Sequence, residues 1–269
     1  MTIERRSAAS GLHAETGLLD LGGKTALVTG ASGALGRHFA VVLACAGARV
    51  IATGRRQEQI EATAEAVRKA GGQAWAVALD VTDAASIGYA FDEINRRCGH
   101  VAILVNNSGV TSSASSLDLE ELEWDRVLDT NLKGSWLVSR EAARRALDAK
   151  ASASIINIAS ILGLRVAGQV SAYAASKAAL IQLTRVMALE LARYHVRVNA
   201  LAPGYIETDL NRDFFAENAG RALVKRIPQR RLGLLSDLDG PLLLLASDAS
   251  AYMTGATIAV DGGHLVSSL

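Results

Sequence analysis

Short apolar runs and longer helix-periodic stretches alternate from one end of this chain to the other, and that alternation restricts its fold more than any other feature. Runs rich in β-branched residues occupy 25–29, 48–53, 74–79, 101–106, 154–158, 197–201 and 257–260. Most are apolar nearly throughout, as strands covered on both faces of a parallel sheet must be. Between them lie stretches with helical spacing at about 34–46, 57–70, 84–98, 120–148, 173–193 and 237–247. The pattern predicts an α/β fold: a doubly wound, seven-stranded parallel sheet with helices on both faces. A composition of 50% apolar and 20% charged residues supplies the large core such a sheet needs.

No Pro/Gly-rich linker or charge block divides the chain, so a single domain is expected over 21–269, with a flexible extension at 1–20. Periodicity weakens at about 207–235, where Phe214, Phe215 and several arginines gather. A segment of that length inside one domain predicts a mobile lid. The N-terminus has basic residues but no apolar core of a signal peptide. No apolar run approaches the ~20 residues that span a bilayer, so a cytoplasmic protein with no membrane partner is expected. Lys plus Arg number 28 against 27 Asp plus Glu, a net charge of +1 that suggests no nucleic-acid partner. Cys45 and Cys98 fall in apolar helical patterns and read as small core residues. His13, His38, His100, His195 and His264 show no ligand spacing, so no metal is expected.

The first strand runs straight into Thr29-Gly30-Ala31-Ser32-Gly33-Ala34-Leu35-Gly36 and then a helix. Small residues let the backbone turn tightly, and a helix N-terminus offers free N–H groups and a positive dipole end to a pyrophosphate. Gly30, Ser32, Gly33, Leu35 and Gly36 are therefore candidate cofactor contacts. In such folds the end of the second strand reads the adenosine ribose, and a carboxylate there selects NAD. This chain has Thr53-Gly54-Arg55-Arg56 instead. Gly54 leaves room and Arg55, with Arg56 beside it, can meet a 2′-phosphate, so NADP(H) is expected in preference to NAD(H). Arg37 stands near enough in sequence to assist. The alternative for the arginine pair is a solvated helix start.

Tyr173 and Lys177 lie four apart in Tyr173-Ala174-Ala175-Ser176-Lys177 and share one helix face. A free tyrosine, with a pKa near 10, is a poor proton donor and acceptor at neutral pH. A neighbouring ammonium stabilises the phenolate and lowers that value. Ser160 follows an apolar strand directly, at the carboxyl end where open α/β sheets gather ligands. Its hydroxyl can donate to a carbonyl oxygen. Asn131 interrupts a long helical stretch, where asparagine is a mediocre helix former; a solvated helix position is the alternative.

Taken together, these residues resemble the single-domain branch of the short-chain dehydrogenase/reductase family over roughly 22–264. Thr29 to Gly36 resembles its TGxxxGxG turn, and Asp80-Val81 its adenine-contacting pair. Asn106-Asn107-Ser108-Gly109 is similar to its NNAG strand end. Pro203-Gly204, with Ile206 and Thr208, is similar to its PG motif and nicotinamide-side threonine. Asn131, Ser160, Tyr173 and Lys177 match its catalytic tetrad in order and spacing. Two departures stand out: Ala34 replaces the middle glycine of the turn, and Ser108 replaces the alanine of NNAG.

The resemblance implies a Rossmann-like fold and hydride exchange between nicotinamide, through its pro-S hydrogen, and a ketone or secondary-alcohol carbon. Ser160 would polarise the carbonyl and Tyr173 exchange the proton. Lys177 would bind the ribose hydroxyls and lower the tyrosine pKa, and Asn131 would hold a relay water. It also implies a homotetramer built through helices at about 120–148 and 173–193 and the C-terminal segment. Two other classes share parts of this pattern. An extended-branch epimerase or dehydratase would need a further substrate domain, and only nine residues follow the seventh predicted strand. A non-catalytic NADP-binding sensor or scaffold would have no reason to keep all four tetrad residues.

The small-molecule substrate is less constrained. Segments 111–115, 161–164, 169–170 and 205–215 should line its pocket; several are apolar or small, which suits an uncharged ketone or an acyl chain. Arg212, Arg221, Lys225 and Arg226 are either solvated charges or a means of steering an acidic substrate, a carrier-linked thioester or a sugar acid.

Overall fold

In the computed structural model, which describes residues 17–208 and 211–267, each apolar run becomes a strand. These are β1 (Thr25–Val28), β2 (Arg49–Gly54), β3 (Gln73–Ala78), β4 (Ile103–Asn106), β5 (Ala153–Ile158), β6 (Val196–Pro203) and β7 (Thr257–Val260). They form one parallel sheet of seven strands in the order β3-β2-β1-β4-β5-β6-β7. The chain order reverses between β1 and β4, and ligands of open α/β sheets bind outside the strand ends at such a switch.

Alternation along the strands explains their uninterrupted apolar sequence. Val28, Val50, Val105 and Ile156 face one hydrophobic cluster, with Phe39, Leu43, Leu242 and Leu245. Their neighbours Leu27, Ile51, Leu104 and Ile155 face a second, with Phe91, Ile94 and Val138. Successive side chains point to opposite faces of a sheet, and here both faces are covered.

The covering helices are α1 (Ala34–Cys45), α2 (Gln57–Lys69), α3 (Ala84–Cys98), α4 (Glu121–Leu128), α5 (Gly134–Asp148), α6 (Ser171–Leu191), α7 (Arg212–Ala216), α8 (Asn218–Val224) and α9 (Asp239–Ala246). Two features differ from the periodicity reading. The stretch at 120–148 is not one helix: a π-type turn at Asp129–Lys133 separates α4 from α5. The segment at 207–235 carries two short helices, α7 and α8, too brief for a periodic signal. Cys98 is buried as expected, whereas Cys45 ends α1 on its outward face and is exposed. Leu21 is fully buried and its N–H donates to the Ala46 carbonyl. Most of the proposed N-terminal extension, 1–16, lies outside the described residues.

Candidate active site

The switch point is built by backbone packed against backbone. Gly30 has φ +63° and lies under the β4 end; a Cβ there would stand 2.9 Å from Ser108 Cα. At Gly36 a Cβ would stand 2.4 Å from the Gly30 carbonyl oxygen. Asn107 fastens the turn, its Nδ2 donating to the carbonyls of Thr29 (3.0 Å) and Gly30 (3.2 Å). The backbone N–H groups of Asn107 and Ser108 both donate to Thr29 Oγ1 at 3.0 Å. Gly33 is the N-cap of α1, so no side chain caps that helix, and no carboxylate occupies its first turn. The helix end is left with free donors, the arrangement that receives a phosphate.

At the end of β2, Arg56 rather than Arg55 reaches the turn: its NH2 donates to Ser32 Oγ at 3.1 Å. Arg55 is exposed and has no partner among the described residues. A Cβ at Gly54 would meet Ile60 Cγ2 at 3.1 Å and Ser32 Oγ at 3.6 Å, so the space beside the arginines depends on glycine. Asp80 Oδ1 is taken by Thr82, accepting from its N–H (2.9 Å) and Oγ1 (2.7 Å). Val81 is buried against Gly134. Gly204 packs on Asp261 and donates to the Val260 carbonyl. Thr208 N–H donates to Asn211 Oδ1 at 2.9 Å. The Ile206 side chain belongs to the core, and its carbonyl accepts from Asn211 Nδ2 at 2.8 Å.

The structure brings Ser160, Tyr173, Lys177 and Asn131 to one place. Ser160 is extended beyond β5, and its Oγ accepts from Leu162 N–H at 3.1 Å. Burial pushes the Tyr173 phenol up; the nearby Ser160 hydroxyl works against that push, and Tyr205 adds slightly to it. Lys177 is buried, and burial holds its ammonium at about 8 against an ordinary 10.5. Its Nζ donates to the Ile158 carbonyl at 2.7 Å and lies 5.6 Å from the Tyr173 ring centre. In this arrangement the ammonium sits over the ring, and Ser160 is the hydroxyl close enough to act on the phenol.

Asn131 is fully buried, which excludes a solvated helix position. The π-type turn swings it inward, where Oδ1 accepts from Val110 N–H (2.8 Å) and Nδ2 donates to the Val110 carbonyl (2.9 Å) and Ser176 Oγ (3.0 Å). Such turns recur at functional sites. Ser176, inside the Tyr173–Lys177 motif, has a positioning role that the motif alone does not reveal. It donates to the Tyr173 carbonyl at 2.7 Å and so joins the π-turn to the first turn of α6. Ser135, four residues after Asn131, donates to the Asn131 carbonyl at 2.8 Å. Hydroxyls at helical spacing from Tyr173 and from Asn131 were the available signal.

On the substrate side, Ala114 bridges Val170, and Ala114 N–H donates to the Gln169 carbonyl at 3.0 Å. This ties two of the expected pocket segments together. Tyr205 stacks obliquely on His264, ring centres 5.7 Å apart, and edge-on to Phe215 at 5.9 Å.

A parallel sheet with an uncapped helix at its switch point and a Ser–Tyr–Lys cluster beside it defines a dinucleotide-dependent oxidoreductase framework. A family model described as enoyl-(acyl carrier protein) reductase matches residues 30–264. The chain is 38% identical over 246 residues to 2-dehydro-3-deoxy-D-gluconate 5-dehydrogenase of Escherichia coli (strain K12), covering 91% of this chain and 96% of that one. It is 37% identical over 241 residues to the 3-oxoacyl-(acyl-carrier-protein) reductase FabG of the same organism, covering 90% and 97%. A solved gluconate 5-dehydrogenase from Burkholderia cenocepacia J2315, in complex with NADP and tartrate, superposes with a TM-score of 0.89 at 35% identity, covering 93% of this chain and 98% of that one. The chain belongs to the short-chain dehydrogenase/reductase family of oxidoreductases.

Proposed function

We propose that this protein is an NADP(H)-dependent carbonyl reductase and secondary-alcohol dehydrogenase whose proton chemistry is carried by Asn131, Ser160, Tyr173 and Lys177. The carrying observation is the convergence of the Ser160 hydroxyl, the Tyr173 phenol and the buried Lys177 ammonium, whose Nζ lies 5.6 Å from the Tyr173 ring centre. The uncapped end of α1 and the space at Gly109, beside Asn131 Oδ1 and Lys177 Nζ, fit a dinucleotide. Gly30, Ser32, Gly33, Leu35 and Gly36 would hold its phosphates, Asp80 and Val81 its adenine. Asn107, Ser108, Gly109, Pro203, Gly204, Ile206 and Thr208 would line the nicotinamide end.

When bound, the dinucleotide supplies hydride to a ketone carbon or accepts it from a secondary alcohol. Ser160 donates to the substrate oxygen and polarises it, and Tyr173 gives that oxygen its proton, or removes it in oxidation. Lys177 holds ribose hydroxyls and supplies the positive charge that favours phenolate. Asn131, with both amide protons engaged, has acceptor capacity left for a relay water. NADP over NAD is supported by Arg55 and Arg56 and by the lack of a carboxylate at 53–56; the Burkholderia neighbour has NADP bound. Residues 207–235 act as a lid over a single domain at 21–269. Exposed Leu122, Trp136, Val186 and Leu189 on α4, α5 and α6 give a homotetramer apolar surface to bury. No helix among the described residues is long and apolar enough to cross a membrane, in keeping with a cytoplasmic enzyme.

The test is NADPH and NADH consumption over a panel of aromatic ketones, 3-oxoacyl thioesters, keto-sugars and keto-acids. Turnover with NADPH is expected, and Tyr173→Phe should lower kcat by about a hundred- to ten-thousand-fold, the usual share of general acid–base catalysis. A Tyr173→Phe enzyme as fast as its parent would overturn the mechanism.

A further inference from the structure

Two arginines lie within electrostatic reach of a buried histidine whose ring packs on Tyr205. Arg165 lies in the turn between Ser160 and α6 and is half-buried. Its NH1 donates to the His264 carbonyl, and Ser267 Oγ lies 3.5 Å away. Its remaining N–H groups have no partner among the described residues, and no carboxylate there lies within ion-pair distance. A half-buried guanidinium without an acidic partner is costly unless something else supplies the charge.

His264 is 4% exposed, and its Nδ1 has no hydrogen-bond partner. Burial, and then the neighbouring Arg165, hold its pKa below the ordinary range; Asp261 opposes them and Arg226 adds a smaller downward push. The ring is therefore the neutral imidazole at physiological pH, with one N–H to give. Asp261 is the nearby carboxylate, and each of its oxygens holds its own turn, accepting from Gly263 N–H (2.9 Å) and Leu265 N–H (2.7 Å). Tyr205 links this corner to the chemistry: it packs on His264 and lies within electrostatic reach of both Arg165 and Tyr173.

We propose that Arg165, backed by His264 and Tyr205, receives a carboxylate of the substrate at the end remote from the reacting carbon. The substrate class is then a hydroxy or keto acid rather than an uncharged ketone, with Arg226 adding positive potential beside His264. The inference rests on the reductase reading for what happens at the other end of that substrate. The binding site itself is testable without turnover.

Tartrate and threitol share a four-carbon diol skeleton and differ in carboxylates against hydroxymethyl groups. Calorimetric titration of each into the NADP-loaded protein, at fixed ionic strength, should show tartrate binding at least tenfold more tightly. Arg165→Gln should abolish that preference. Ser267→Ala, which removes a tail contact of Arg165 and leaves the charge, should keep it, and Arg165→Lys should keep part of it. Equal binding of the two probes by the parent, or an unchanged preference in Arg165→Gln, would overturn the subsite. So would loss of the preference in Ser267→Ala, which would make Arg165 a strut for the tail. If the preference behaves as expected but no keto acid is turned over with NADPH, the subsite stands and the reductase reading fails.

Discussion

The two ends of the cleft are held together by different kinds of contact. At the glycine turn, backbone meets backbone: Gly36 lies against the Gly30 carbonyl, Gly30 against Ser108, and Asn107 ties the layers at about 3 Å. At the far end, side chains from distant segments do the joining, as where Arg165 meets His264 across 99 positions of sequence. The first kind of contact tolerates almost no added atom. The second can change its residues without disturbing the sheet, so a fold can keep one cofactor end while its substrate end diverges.

The largest effect on stability should come from testing that contrast directly. Gly36→Ala places a Cβ 2.4 Å from the Gly30 oxygen and 2.9 Å from Ala31 Cα, both backbone atoms with little freedom to retreat. A loss of about 2–3 kcal/mol is expected, a fall in Tm of roughly 4–12 °C. Gly168, in the turn before α6, has nothing within 4 Å of its missing Cβ. Gly168→Ala should stay within about 0.5 kcal/mol of the parent. Comparable melting losses in the two variants would dissolve the distinction between the ends.

The same contrast explains what could be read from sequence. The strands were legible because two covered faces force every position to be apolar, and Leu27 and Val28 each serve a different cluster. The glycine turn and the tetrad were legible because each motif sits at a strand end or one helical turn apart. The π-turn at Asn131 was hidden, since one inserted residue leaves the helical pattern on both sides intact. Helices α7 and α8, of 5 and 7 residues, fall below the length at which periodicity speaks. Cys45 was misplaced because a small apolar residue fits either face of a helix end. The Arg165–His264 corner carries no local signal at all; only the folded chain brings it together.

A smaller effect should separate the two arginines at the end of β2. Arg56 is engaged with Ser32 Oγ, while Arg55 is exposed and free of partners among the described residues. Arg55→Ala should weaken NADPH binding by about 1–2 kcal/mol, the lower part of the range for a charged hydrogen bond because the group is solvated. NADH, which has no 2′-phosphate, should bind as before. Calorimetric titration of both cofactors reads the difference. Equal losses would move the 2′-phosphate away from Arg55, with Arg56 the next residue to replace.

The mildest expected effect is a pH profile, and it concerns the seam between the two ends. Burial brings Lys177 down to about 8, so its ammonium is intact below that pH and is lost as the pH rises through it. Ketone reduction draws on the positive charge at Lys177, whereas the Tyr173 phenol, raised by burial, keeps its proton to higher pH. The kcat/KM for reduction should therefore be level below pH about 8 and fall about tenfold per unit above it. Lys177→Arg carries a guanidinium that stays protonated throughout this range. Its rate should be lower everywhere and flat through the same interval, because the planar head cannot reproduce the single donation to the Ile158 carbonyl. A break that persists in Lys177→Arg would belong to another group and would remove Lys177 from the proton path.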